Sequence, residues 1–224
     1  NAVTDASGRA GNPPSVRPFP LTTFSLLSER SGSVAYLSVA QVGAPANILR
    51  IYEHLTAEEH STGHAWYRTA HWEAAALAER HGYPLLSVAG VIAALSPSVQ
   101  WRQNLDQADK LLGAVRHERK IRLTAFPSAV AKAVAIARTG DLSPLVGPKT
   151  TAFFANIAWP DDPGPVTIDR HALRIWLALD QGGALTCSAR TYYLAAADYI
   201  AAAEAMSVLP HVMQAATWLT LAKP

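Results

Sequence analysis

Two side chains able to do chemistry stand twenty positions apart, Lys149 and Asp169, in the stretch GPKTTAFFANIAWPDDPGPVTIDRHALRI (residues 147–175). A tight glycine turn opening onto a helix leaves unpaired backbone N–H groups facing outward, and such groups bind phosphate. Gly147, Lys149 and Thr150 are therefore candidates to grip a nucleic-acid backbone. Three readings of Lys149 stay open: a phosphate contact, an amine that attacks an electrophilic sugar carbon, or a solvent-exposed lysine. Asp169 follows GPVTI, where the proline and the Val166/Ile168 pair stiffen the backbone, and it precedes a helical pattern. It reads as a helix N-cap, and equally as a carboxylate that stabilises positive charge on a sugar. The two roles are compatible.

The elements that must hold these groups are helical. Ala/Leu-rich runs predict helices over residues 46–55, 65–81, 86–95, 103–117, 127–138, 150–159, 171–179, 189–207 and 211–221. Gly82-Tyr83-Pro84, Ser96-Pro97, Thr139-Gly140-Asp141, residues 160–165 and Gln181-Gly182-Gly183 separate them. No alternating strand pattern and no internal repeat interrupts this series, so the expected class is all-α, with two helical subdomains and a cleft between them. Residues 1–20 are rich in Pro, Gly and Ser and read as an extended arm, ahead of one helical unit over 21–224. Within that unit one subdomain is expected near 85–140, and a hairpin and catalytic subdomain near 141–224 joined by helices from 40–82.

Half of the 224 residues are hydrophobic and 16% are charged, the composition of a globular chain with a substantial core. No apolar run is long enough to span a bilayer and the first residues do not read as a secretory leader, so a cytoplasmic protein without a membrane partner is expected. Cys187 is the single cysteine, which rules out an internal disulfide and a four-cysteine cluster and suits a small core residue. No metal or other cofactor is expected. His60 and His64 have helical spacing, but Ser61-Thr62-Gly63 reads as a helix break between them. The formal charge of +2 permits a polyanionic partner, and the cations between Arg102 and Arg138 outnumber the acids there. Arg68 and His71 share a helix face and are candidate substrate contacts.

Several of these features together resemble the helix-hairpin-helix DNA glycosylases of the endonuclease III type. The resemblance rests on LVGPKTTAFFANI, the Gly164-Pro165 loop, VTIDRHALRI, and upstream on VIAALSPSVQWRQNLDQADKLL (residues 91–112), about two-fifths of the chain. It implies that Asp169 is the catalytic carboxylate and that Lys149 stands where bifunctional members carry a Schiff-base lysine. It also aligns His171 and Arg174 with the residues after that carboxylate. Gln100 becomes the polar wedge pushed into the duplex and Asn104 a contact to the base, while Arg102 belongs to the DNA-binding face. Trp101, Trp66, Tyr67 and Trp72 are candidates to stack on an extruded base. The chain departs from the family at Leu145, where the hairpin usually has its first glycine, at Pro148, where a cation is frequent, and in lacking the cluster cysteines.

The implied function is excision of an altered or hypermodified base by a monomer acting on duplex DNA, with the nucleotide flipped out and an abasic site left behind. Divergence outside the motifs points to an unusual substrate, such as the modified DNA of a phage. Two alternatives stand beside it: an enzyme of base hypermodification on the same scaffold, and a non-catalytic DNA-binding protein.

Overall fold

The structure is a computed structural model that describes residues 44–179, 185 and 187–221, which belong to one compact unit. The expected arm at 1–20 and the Gln181-Gly182-Gly183 breaker lie outside the described residues. Among those described, every regular element is a helix: α1 (Pro45–Glu53), α2 (Ala57–His81), α3 (Leu85–Leu95), α4 (Trp101–Arg116), α5 (Pro127–Thr139), α6 (Pro148–Ala158), α7 (Arg170–Trp176), α8 (Ala189–Ala205) and α9 (Pro210–Leu221). The all-α expectation therefore holds. Helix ends are set by local chemistry: proline opens α1, α5 and α6, and Gly82 and Gly140 close α2 and α5 in the left-handed region at φ 68° and 73°. Helix α7 stops earlier than the pattern suggests, because Ala178 turns to φ 50°.

The largest departure is α2. A capping box starts it at Ala57, where Thr56 accepts from the Glu59 amide and Glu59 accepts from the Thr56 amide. The helix then runs through Ser61-Thr62-Gly63 without a break, which corrects the expectation from those residues. Gly63 is needed there for contact rather than for a turn. A Cβ placed on it would sit 2.4 Å from the Cα and Cβ of Ala216, so α2 and α9 cross backbone to backbone at this point.

Two apolar clusters flank that seam. One is built from α2, α3, α4, α5 and α6, with α3 at its centre: every residue from Ser87 to Leu95 is buried, as an all-apolar helix requires. The other is built from α1, α7, α8 and α9 with Val166 and Ile168. Ala215 of α9 belongs to the first and Ala216 to the second. The helix expected to follow the hairpin, α6, gives its apolar face to the first cluster through Phe154 and Ile157. Cys187 is exposed, which corrects its assignment to the core.

Replacing Gly63 by alanine is expected to lower unfolding stability by about 1–3 kcal/mol despite the better helix propensity, because the obstacle includes backbone that cannot rotate away. Gly90→Ala, whose new Cβ would meet only the side chains of Leu142 and Ile136, should cost less. Urea denaturation of the two variants beside the wild type checks the order.

Candidate functional site

The loop that leads to Lys149 joins α5 to α6. After Gly140 closes α5, Asp141 holds the turn by accepting from the amide and hydroxyl of Ser143, and the Leu145 amide returns to the Leu142 carbonyl. Gly147 then takes φ 89° as the N-cap of α6, in a position where an added Cβ would meet nothing. Glycine is required here by backbone conformation, and its open side leaves the first turn of α6 accessible. Lys149 is exposed in that turn and Thr150 is half-buried beside it.

Asp169 is the N-cap of α7. Its Oδ1 accepts from the amides of His171 and Ala172, both at 2.9 Å, while Oδ2 makes no bond among the described residues. One carboxylate oxygen thus fixes the side chain at the head of α7. His171 follows, half-buried, with its ring edge-on to Trp218 at 6.2 Å. Burial pushes its imidazole below the usual value, opposed by Asp169 and reinforced by the charges of Arg170, Arg174 and Lys149. Lys149 and Asp169 therefore both lie within electrostatic reach of one imidazole.

Two buried side chains bring these groups together. Asn156, on α6 and fully buried, donates from Nδ2 to the Pro165 carbonyl at 2.9 Å and accepts from the Thr167 hydroxyl at 2.9 Å. Tyr192, on α8, donates to the Val166 carbonyl at 2.8 Å, with the Pro148 carbonyl at 3.2 Å sharing the same hydroxyl, and the Ile168 amide approaches its oxygen at 3.4 Å. The backbone just before Lys149 and the backbone just before Asp169 meet on one phenol. Nothing in the local pattern marks Tyr192, and Asn156 is legible only as the one polar side chain in the apolar second half of α6.

A group of aromatic rings adjoins His171 through Trp218. Trp66 lies 6.2 Å from Trp218, 5.2 Å from Trp101 and 6.2 Å from Phe153. All four are half-buried, so each offers ring surface to solvent. Glu73 orients one wall by accepting from the Trp101 indole N–H at 2.7 Å and from Arg102 at 3.0 Å. Trp66 and Trp101 are among the aromatics that the sequence singles out; Phe153 and Trp218 are not, because each sits in a helix whose pattern reads as core.

Several expected contacts are placed elsewhere. Tyr67 is buried and donates to Gln214 at 3.1 Å, so it supports the aromatic group from beneath. Asn104 is buried, with Nδ2 on the Ile92 carbonyl at 3.1 Å, and Arg174 is buried within α7. None of the three can meet DNA from there, because the helical register turned them inward. Gln100 is exposed at the start of α4, next to a turn in which Ser98 takes φ 60°, and Arg102 is exposed apart from its Glu73 contact. Trp72 is 67% exposed and lies apart from the aromatic group, on the face of α2 where Arg68 pairs with Asp161 and His71 donates to the Ile157 carbonyl. That face carries two open depressions of about 610 and 560 Å³, sharing Arg68 and Trp72. Neither includes Asp169, Lys149 or His171, where charged groups, helix ends and half-buried aromatic rings coincide instead. No group of three metal-ligating side chains occurs among the described residues.

Residues 35–224 match the model of a family of unknown function, DUF7178, and the chain belongs to that family. No curated protein and no solved structure matches it. Among the described residues no helix is long and apolar enough to cross a membrane.

Asp169→Asn retains an acceptor for the α7 amides and is expected to change stability by less than about 0.5 kcal/mol, whereas Asp169→Ala should lose about 1 kcal/mol. Thermal or urea unfolding separates them. Burial lowers the pKa of His171 and of His211 from the usual 6.5. The unfolded chain then takes up protons that the folded one refuses, so stability is full above about pH 6.5 and falls as pH drops toward the folded values. A urea midpoint that declines from about pH 7 to 5, with a shallower decline in His211→Gln, is the expected result.

Proposed function

We propose that this member of the DUF7178 family is a helix-hairpin-helix DNA glycosylase that flips out an altered or hypermodified base and cuts it from its sugar as a monomer. The observation that carries the reading is the tie between the two helix starts: one tyrosine hydroxyl spans the backbone before Lys149 and the backbone before Asp169. The open glycine turn at Gly147 supports it as a phosphate grip, and the half-buried rings of Trp66, Trp101, Phe153 and Trp218 support it as stacking surface for an extruded base.

In this reading the hairpin amides and Lys149 hold the backbone near the target nucleotide, and Gln100, exposed at the start of α4, fills the gap in the stack. Unstacking the base costs a few kcal/mol, offset by phosphate contacts and by the aromatic surface. As the bond between C1′ and the base nitrogen breaks, its electron pair leaves with the base and positive charge grows on the sugar. The free oxygen of Asp169 stabilises that charge. Water bonds to C1′ and its proton passes to the carboxylate, while the departing base takes up a proton. If the neutral Lys149 amine bonds to C1′ in place of water, it passes one proton to the carboxylate; the C1′–O4′ bond then breaks as O4′ takes up a proton, leaving a protein-linked imine from which strand cleavage follows by elimination. Removal of a hypermodified base would turn the protein against phages whose DNA carries it.

The test is incubation with natural, oxidised, alkylated, deaminated and phage-hypermodified DNA, scoring abasic sites with an aldehyde-reactive probe and released bases by mass spectrometry. Free base from one of these DNAs, lost in Asp169→Asn, is the expected result. Loss of borohydride-trapped adduct in Lys149→Ala assigns the nucleophile. A new base adduct in place of an abasic site would make the protein a hypermodification enzyme, and duplex binding without any abasic site would leave a binding protein only.

A further inference from the structure

We propose that the Tyr192 hydroxyl is the positioning group that sets the separation of Lys149 and Asp169. Its role in turnover rests on the glycosylase reading; the tie itself does not. Helix α6 is held to the segment before Asp169 at two points. Asn156 ties the far end of the helix to Pro165 and Thr167, and Tyr192 ties the near end, at Pro148, to Val166 and Ile168. With the near tie gone, α6 can pivot about Asn156. From Asn156 back to Pro148 is about 12 Å of helix at 1.5 Å per residue, so a tilt of about 5° moves Lys149 by about 1 Å. A displacement of that size costs about 100-fold in a reaction that depends on alignment.

The group is suited to the task. Tyr192 is buried, its ring packs in the second apolar cluster, and burial pushes its phenol above the ordinary value, so the proton that makes the tie is kept. Tyr199, one helical turn pair further along α8, is a matched comparison. It is also a buried phenol of that cluster, but its hydroxyl lies near the Ala172 carbonyl of α7 at 3.4 Å rather than against α6.

Tyr192→Phe keeps the ring and removes the tie, and Tyr199→Phe controls for losing a buried hydroxyl from α8. Amide hydrogen exchange on the whole chain, without DNA, is the first readout. Faster exchange at Ile168 and at Thr151, whose amide closes the first turn of α6 on the Gly147 carbonyl, is expected in Tyr192→Phe but not in Tyr199→Phe. Unchanged exchange at both amides overturns the proposal whatever the activity. On the DNA from which the wild type releases base, kcat should fall about 10- to 100-fold with KM little changed. Tyr192→Phe turnover equal to wild type, or a fall matched by Tyr199→Phe, overturns it too. Faster exchange in Tyr192→Phe together with a wild type that cleaves no DNA would support the tie and count against the glycosylase reading alone.

Discussion

The buried carboxamide of Asn156 constrains everything around the site. A fully buried amide left without partners costs more than a satisfied one contributes, which favours the segment over 165–167 lying along α6. That segment supplies the Pro165 carbonyl and the Thr167 hydroxyl. Once it lies there, Val166 and Ile168 enter the second apolar cluster, Tyr192 finds its acceptors, and Asp169 has one place left at the head of α7. The separation of Lys149 from Asp169 is therefore a property of packed interior, although both side chains reach the surface.

The interior is organised along the seam of α2 and α9. Gly63 lets the two backbones meet at Ala216, and Tyr67 and Gln214 bond across the same seam. Helix α2 belongs to the first cluster and α9 contributes to both, through Ala215 and Ala216, so the two halves cannot separate without breaking that contact. The aromatic group gathers at the edge of the seam. Trp66 comes from α2, Trp218 from α9, Trp101 from α4 and Phe153 from α6. Four helices that share little sequence neighbourhood thus form one aromatic surface beside His171.

The site combines fixed and open parts. Asp169 is held through one oxygen while the other makes no bond among the described residues, Gly147 opens the first turn of α6, and Lys149 projects from it. Two open depressions lie instead along the outer face of α2. Their lining carries ion pairs and histidines already engaged within the protein, and it lacks the conjunction of helix starts and free carboxylate oxygen.

The sequence carries most helix ends, because breakers and caps act within four residues: Gly140 closing α5, Pro148 opening α6 and Asp169 capping α7 are all local events. It also marked Lys149 and Asp169 as chemical outliers in an apolar stretch. Tertiary structure alone decided the rest. Ser61-Thr62-Gly63 reads as a break until α9 is laid against it, since only then does Gly63 become a contact rather than a weakness. Tyr67, Asn104 and Arg174 have the residue types of a DNA-binding surface, but burial depends on which face of a helix meets a neighbour, and several neighbours are a hundred positions away. Tyr192 meets Pro148 across 44 positions and Tyr67 meets Gln214 across 147, separations at which no periodicity carries information. Local hydrogen-bonding rules fix where helices begin and end; only their packing fixes which side chains are left facing solvent together.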